Sequence, residues 1–235
     1  MDNRLRVTII LAVASIISIT LTFLPIGATL LFPLQLFVTF VHEMCHAMTA
    51  WLTGGRVHHI TINPDMSGTT ITSGGIFWLI SSAGYVGTVI VGATCIHLMR
   101  KGVSPSWILS GFIALLLIAL FYTGVGSIYG TVWSLVFIGA ILLMIKYLSQ
   151  TQLEMAASFI SVQLLLNAFY DLKTLFMLSG SAVQTDASNM QGETGIPAVV
   201  WACGWIALSG YAAYRILLRK PGTETGAEVE GAGLN

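Results

Sequence analysis

The sequence predicts an all-α polytopic membrane protein with about six to seven transmembrane helices and a short interfacial β-hairpin after the second. Three observations carry this reading. Of 235 residues, 55% are hydrophobic and only 9% are charged, against roughly 25% charged in ordinary soluble domains. Apolar stretches of about 20 residues recur along the chain, the length needed to cross a hydrocarbon core of about 30 Å. One segment, 56–75, breaks the pattern with β-branched residues and turn chemistry.

The first stretch, MDNRLRVTIILAVASIISITLTFLP, begins like a signal peptide. Its apolar run from Val7 to Leu24 is long, however, and no A-x-A site follows, so a retained helix at 7–24 is expected. Further helices are expected at 31–53, 76–99, 105–123, 131–148, 153–178 and 196–218. Pro25, Pro33, Pro105 and Pro197 fall at or near helix starts, where proline is tolerated. Gly102 and the glycines of TGVGSIYG (123–130) mark turns. Between the second and third helices, RVHHITINPDMSGTTITSGG reads as a hairpin. Open backbone cannot face lipid, so the hairpin must lie at the interface or enter a protein-lined cavity. The chain is expected to form one integral-membrane domain over 1–220, with a disordered, Gly-rich acidic tail over 221–235.

Net charge is formally zero and there is no basic run for nucleic acid. Cys45, Cys95 and Cys203 are scattered through apolar segments, which excludes a CxxC-type zinc site and a disulfide framework. Lysines and arginines at 100, 101, 146, 215, 219 and 220 favour an outside N-terminus for seven spans, while Arg4, Arg6 and Arg56 oppose it.

The chemistry lies in FVTFVHEMCHAMTAW (37–51). His42, Glu43 and His46 form H-E-x-x-H. On a helix the two imidazoles share a face one turn apart and can reach a single zinc ion. The glutamate beside the first histidine can then act as general base. Ionisable groups in a membrane helix are costly and therefore functional by default. Gln35, Thr39, His42, His46, Thr49 and Thr53 are spaced alternately four and three apart, so they make one polar face. A hydrogen-bonded seam between helices would explain the threonines and the glutamine, but not Glu43 between two histidines.

A third ligand is needed, with a position left open for water. Gln163, Asn167 and Asp171 are spaced four apart and continue to Thr174 as a second polar stripe. Asp171 lies seven residues before its helix end, as His46 does, and so sits at matching depth. His58 and His59 on the hairpin are rivals, of which at most one could face the metal. Asp186, in VQTDASNMQGE, reads as a solvated loop acid or a helix N-cap.

HEMCH in an apolar helix, then TGGRVHHITINPDMSGTTITSGG, SSAGYVG and NAFYDL, together resemble the M50 site-2-protease clan, and within it the small M50B-like branch. The resemblance runs from about residue 31 to 210. It implies an intramembrane zinc metalloprotease with one zinc ion per chain. His42 and His46 would be zinc ligands, Glu43 the catalytic acid/base and Asp171 the third ligand. Asn167 would help bind substrate or the developing oxyanion. It also implies a cytoplasmic N-terminus, membrane-protein substrates in a bilayer, and a multi-pass place in what is expected to be a bacterial cell membrane. The chain departs from better-known members in lacking Pro and Gly in NAFYDLKTL, in having Tyr85 where many have Pro, and in showing no PDZ or CBS module. A regulatory partner is left open. The alternative is a metal-binding membrane protein without protease activity, a transporter or sensor. A transporter would be expected to carry several intramembrane acids along a path.

Overall fold

The structure, a computed structural model, describes the backbone of residues 3–178 and 185–218. The expected disordered tail lies outside the described residues. Helices α1 (Asn3–Phe23) and α2 (Gly27–Leu52) lead into the hairpin β1 (Arg56–Ile62) and β2 (Gly68–Ser73). Six helices follow: α3 (Phe77–Arg100), α4 (Pro105–Gly126), α5 (Ile128–Tyr147), α6 (Gln150–Leu178), α7 (Asp186–Thr194) and α8 (Ala198–Leu218).

Among the described residues five helices, α1 to α5, are long and apolar enough to cross a membrane. Large apolar side chains on their outer faces, Ile16, Phe23, Phe121, Ile128 and Leu143 among them, are exposed, as lipid-facing residues must be. The protein is a multi-pass integral membrane protein. Pro33, expected at a helix start, lies inside α2 because that helix begins at Gly27. Apolar residues upstream of the proline continue the helix, and membrane helices tolerate the missing donor.

α2 is central. Its aromatic side packs edge-to-face: Phe37 meets Phe112 of α4 at 5.2 Å and Phe137 of α5 at 5.5 Å between ring centroids. Its polar side meets α3 and the hairpin. α3 crosses α2 in antiparallel fashion through glycines: a Cβ at Gly84 would strike the His42 and His46 rings, and one at Gly87 would strike Cys45. α6 is antiparallel to α3, with Gly92 against Leu164 and Ser161. It is tied to α1 by Arg6–Glu154 (2.8 Å) and by a bond from Gln163 Nε2 to Ser18 Oγ (3.1 Å). Gln163, the first member of the second polar stripe, therefore serves α1.

The two hairpin strands pair antiparallel from Arg56↔Ser73 to Ile62↔Gly68, with a bulge at His58. Its tip is an Asn63–Met66 turn: Met66 N–H donates to Asn63 O (3.0 Å), and Asp65 Oδ1 accepts from Ser67 N (3.0 Å). The Asp65 carboxyl is held below the usual range by its bonds from the Ser67 hydroxyl and backbone N–H. The hairpin lies along α2, with Thr39 Oγ1 donating to Met66 O (2.8 Å) near the tip and Ile76 N–H donating to Thr53 Oγ1 (3.1 Å) at the base. Thr39 and Thr53 are 14 residues apart, about 21 Å of helix. On the other side, β1 is covered by the α4–α5 turn, where Ser127 Oγ donates to Ile62 O (2.7 Å) and also caps α5 by accepting from Gly130 N–H (2.9 Å). Ile60 and Ile62 are fully buried there. The polar face of α2 is thus partly a seam, as Thr39 and Thr53 show, and partly a site.

Candidate metal centre

His42 and His46 project from α2 toward α3, one turn apart as their spacing requires. His46 Nδ1 lies 2.6 Å from Ile80 O of α3. Donation of that N–H to the carbonyl fixes the tautomer and leaves Nε2 as a free donor atom, the usual outer support of a metal-binding histidine. Tyr85 and His42 pack edge-to-face with ring centroids 4.6 Å apart. Tyr85 in turn stacks on Trp205 of α8 (5.4 Å, 20°), whose Nε1–H donates to Ser82 Oγ at 2.8 Å. One aromatic wall from α3 and α8 therefore holds the His42 ring.

The third group comes from α7. Thr185 caps this helix: its hydroxyl accepts from Ser188 N–H (3.2 Å) while Ser188 Oγ accepts from Thr185 N–H (2.7 Å). Ala187 and Met190 are buried with Ala198, Ala202 and Trp205 of α8, which docks α7 against the bundle. Asp186, the first helical residue, then faces the histidines: its Oδ2 is 3.4 Å from His42 Nε2 and 3.3 Å from His46 Nε2. The expectation of a solvated loop acid is corrected. Asp186 is half-buried against the two histidines on a docked helix and is not the N-cap, because Thr185 takes the capping position.

The three donor atoms lie 3.0, 3.3 and 3.4 Å apart. Ligands of tetrahedral zinc at about 2.0–2.1 Å are about 3.3 Å from one another, so the set fits such an ion in both chemistry and spacing. Among the described residues His42, His46 and Asp186 are the group able to hold a metal. His58 and His59 do not join it: His58 Nε2 bonds Ser73 Oγ at 2.8 Å on the exposed side, and His59 packs near Gly126. Asn167 and Asp171 lie on α6, and their side chains fall outside the described residues.

Glu43 is 4% exposed and points to the hairpin. Thr70 Oγ1, on β2, donates to Glu43 Oε2 at 2.7 Å. Gly68 lies against the same carboxylate: a Cβ there would come within 2.6 Å of Oε1. The hairpin therefore positions Glu43, and α3 positions the histidines. The sequence alone did not reveal Thr70 or Gly68, since neither stands out among the threonines and glycines of the hairpin.

The Gly84 contact is directly testable. Alanine at 84 would put its Cβ 2.5 Å from His46 Nε2 and closer still to His42 Nε2. Gly84→Ala is expected to weaken metal affinity by about 10–100-fold, as displaced support of a ligand does, measured by chelator competition on purified protein.

A multi-pass helical bundle that presents two histidines and an aspartate from membrane-embedded and docked helices, beside a buried glutamate, defines a membrane protein with a site suited to metal-dependent hydrolysis. The sequence profile of the Peptidase M50B-like family matches residues 7–215, and the chain belongs to that family. Membership implies a metallopeptidase with protein substrates, and zinc is the metal typical of the M50 clan. No curated protein and no solved structure gives a significant match.

Proposed function

We propose that the protein is an intramembrane zinc endopeptidase that hydrolyses peptide bonds of membrane-associated proteins, with Glu43 as general base. The observation that carries this reading is the Glu43 carboxylate, aimed by Thr70 and adjacent in sequence to a His42–His46–Asp186 donor triangle. A structural metal site would have no use for a buried carboxylate beside it. A transporter would call for a series of acids along a path.

His42, His46 and Asp186 would hold the zinc, with Asp171 as the alternative third ligand. Antiparallel packing of α6 on α3, with Leu164 at Gly92, carries the backbone of residue 171 to about the level of Gly84. Bound zinc supplies a Lewis acid and makes water nucleophilic near neutral pH. Glu43 accepts the proton of the attacking water and returns it to the departing amine nitrogen. Thr70 fixes one carboxylate oxygen, which leaves Oε1 for that proton transfer. Asn167 is proposed to steady the developing oxyanion from α6.

A helical substrate hides its carbonyls and has to be held extended. Among the described residues β2 pairs only with β1, and its exposed Thr69, Ile71 and Ser73 alternate with less exposed residues. Its other edge is offered to a substrate strand by β-augmentation.

The test is a comparison of membrane proteomes from cells carrying wild-type protein and Glu43→Gln. An uncleaved membrane protein should accumulate in the variant. Identical proteomes, together with failure of purified protein to cleave candidate membrane peptides, would favour a sensor or transporter.

Thr70 has its own expected outcome. Thr70→Val keeps the shape but removes the donor to a buried carboxylate, a loss of about 1–3 kcal/mol in hydrogen bonding. A fall in kcat of about tenfold or more with KM nearly unchanged is expected. Thr70→Ser should restore most of it, and zinc content should stay constant in both.

A further inference from the structure

We propose that the groove between the C-terminal halves of α3 and α8 binds the phosphate of an anionic membrane lipid. The groove has a volume of about 530 Å³ and is lined by Thr94, His97, Tyr211, Arg215 and Ile216. Its walls are joined: the Arg100 guanidinium donates to Leu217 O at 3.1 Å, which holds the last turns of the two helices side by side. Arg215 donates to the Tyr211 hydroxyl at 2.6 Å, and its guanidinium carbon lies 5.6 Å from the centre of that ring. One end of the guanidinium fork is thereby fixed, and a guanidinium offers five donors in all.

Among the described residues no carboxylate pairs with this corner. The ion pairs among the described residues join Arg6 to Glu154, and Asp186 to His42 and His46, and none involves Arg215, His97, Arg100 or Lys101. The helix C-termini favour cations here, but they do not account for a groove between the helices with two basic side chains in its lining. The groove is open to the outside of the bundle at Thr94 and Tyr211, both exposed. Thr94 lies six residues before the end of a membrane-spanning helix, about 9 Å below it. A ligand entering from the side at this depth has its charged end at Arg215 and His97 and its apolar part along the helices, the arrangement of a phospholipid. Basic pockets between transmembrane helices are suited to such headgroups, and the volume lies within the range of small-molecule sites.

The experiment uses the full chain in phosphatidylcholine nanodiscs containing a minor fraction of phosphatidylglycerol. Lipids retained on ejection are read by native mass spectrometry. Wild-type protein should retain phosphatidylglycerol in preference to phosphatidylcholine. Arg215→Gln and His97→Gln should each reduce that preference, by about fivefold for the arginine, the factor one basic side chain beside an anionic headgroup supplies. Lys101→Gln, outside the groove lining, should not. Circular dichroism and zinc content report whether the variants remain folded. Equal retention in wild type and Arg215→Gln, or an equal loss in Lys101→Gln, would overturn the site. Displacement of the lipid by millimolar soluble glycerol 3-phosphate would assign the groove to a free phosphate ligand and overturn the lipid; no displacement is expected.

Discussion

Glutamine in place of Glu43 is expected to lower peptide hydrolysis by about 10²–10⁴-fold, the usual contribution of a positioned acid/base. Zinc should remain at about one ion per chain, because the side chain is no member of the donor set. Glutamine keeps the volume of a side chain that is 4% exposed and packed on Gly68, and its carbonyl oxygen can still accept from Thr70. The substitution therefore removes proton acceptance and little else. Kinetics on a membrane-peptide substrate and metal analysis of the same preparation check it. Undiminished turnover would remove Glu43 from the mechanism, and lost zinc would make it a structural residue.

The second large effect separates the two aspartates. Asp186→Asn is expected to weaken zinc binding by more than about 10–100-fold, the loss seen even when only the outer support of a ligand is removed. Asp186 Oδ2 stands within 3.4 Å of both imidazole Nε2 atoms, so its charge is central to the site. Asp171→Asn should retain zinc if Asp186 is the third ligand. Zinc affinity measured by chelator competition decides between them, and the reverse result would move the ligand to α6. Because the readout is metal and not cleavage, it stands apart from the identity of the substrate.

His42 and His46 were legible because a helix period of 3.6 puts positions four apart on one face, and Glu43 because it stands beside the first of them in H-E-x-x-H. The hairpin was legible from its β-branched residues and its NPDMSG turn. What these residues touch was not. Thr39 and Thr53 announced a polar face, but their partners are backbone groups, Met66 O and Ile76 N–H, which no side-chain pattern reports. Asp186 was harder still. α7 has nine residues, too few for an apolar period to stand out, and it buries only Ala187 and Met190. The signals available were local: Thr185 and Ser188 at capping-box spacing, and a stop at Gly195, whose φ of 72° is in the left-handed region. Helix ends were misjudged where apolar residues run past a proline, as at Pro33.

The base of the hairpin is a pinch of glycines. Gly54, Gly74 and Gly75 have positive φ, and a Cβ at Gly55 would lie 2.9 Å from Gly74 O. This fixes where both strands leave α2, and Thr70, which meets Glu43, stands only four residues before Gly74. A strand advances about 3.3 Å per residue and alternates faces. One residue inserted between the pinch and Thr70 would turn the hydroxyl away from Glu43 and bring a neighbour of the wrong chemistry in its place. Chain length in the two legs is thus as strictly constrained as residue identity, so functional variants of this protein should differ by substitution between Gly55 and Gly74 far more readily than by insertion or deletion.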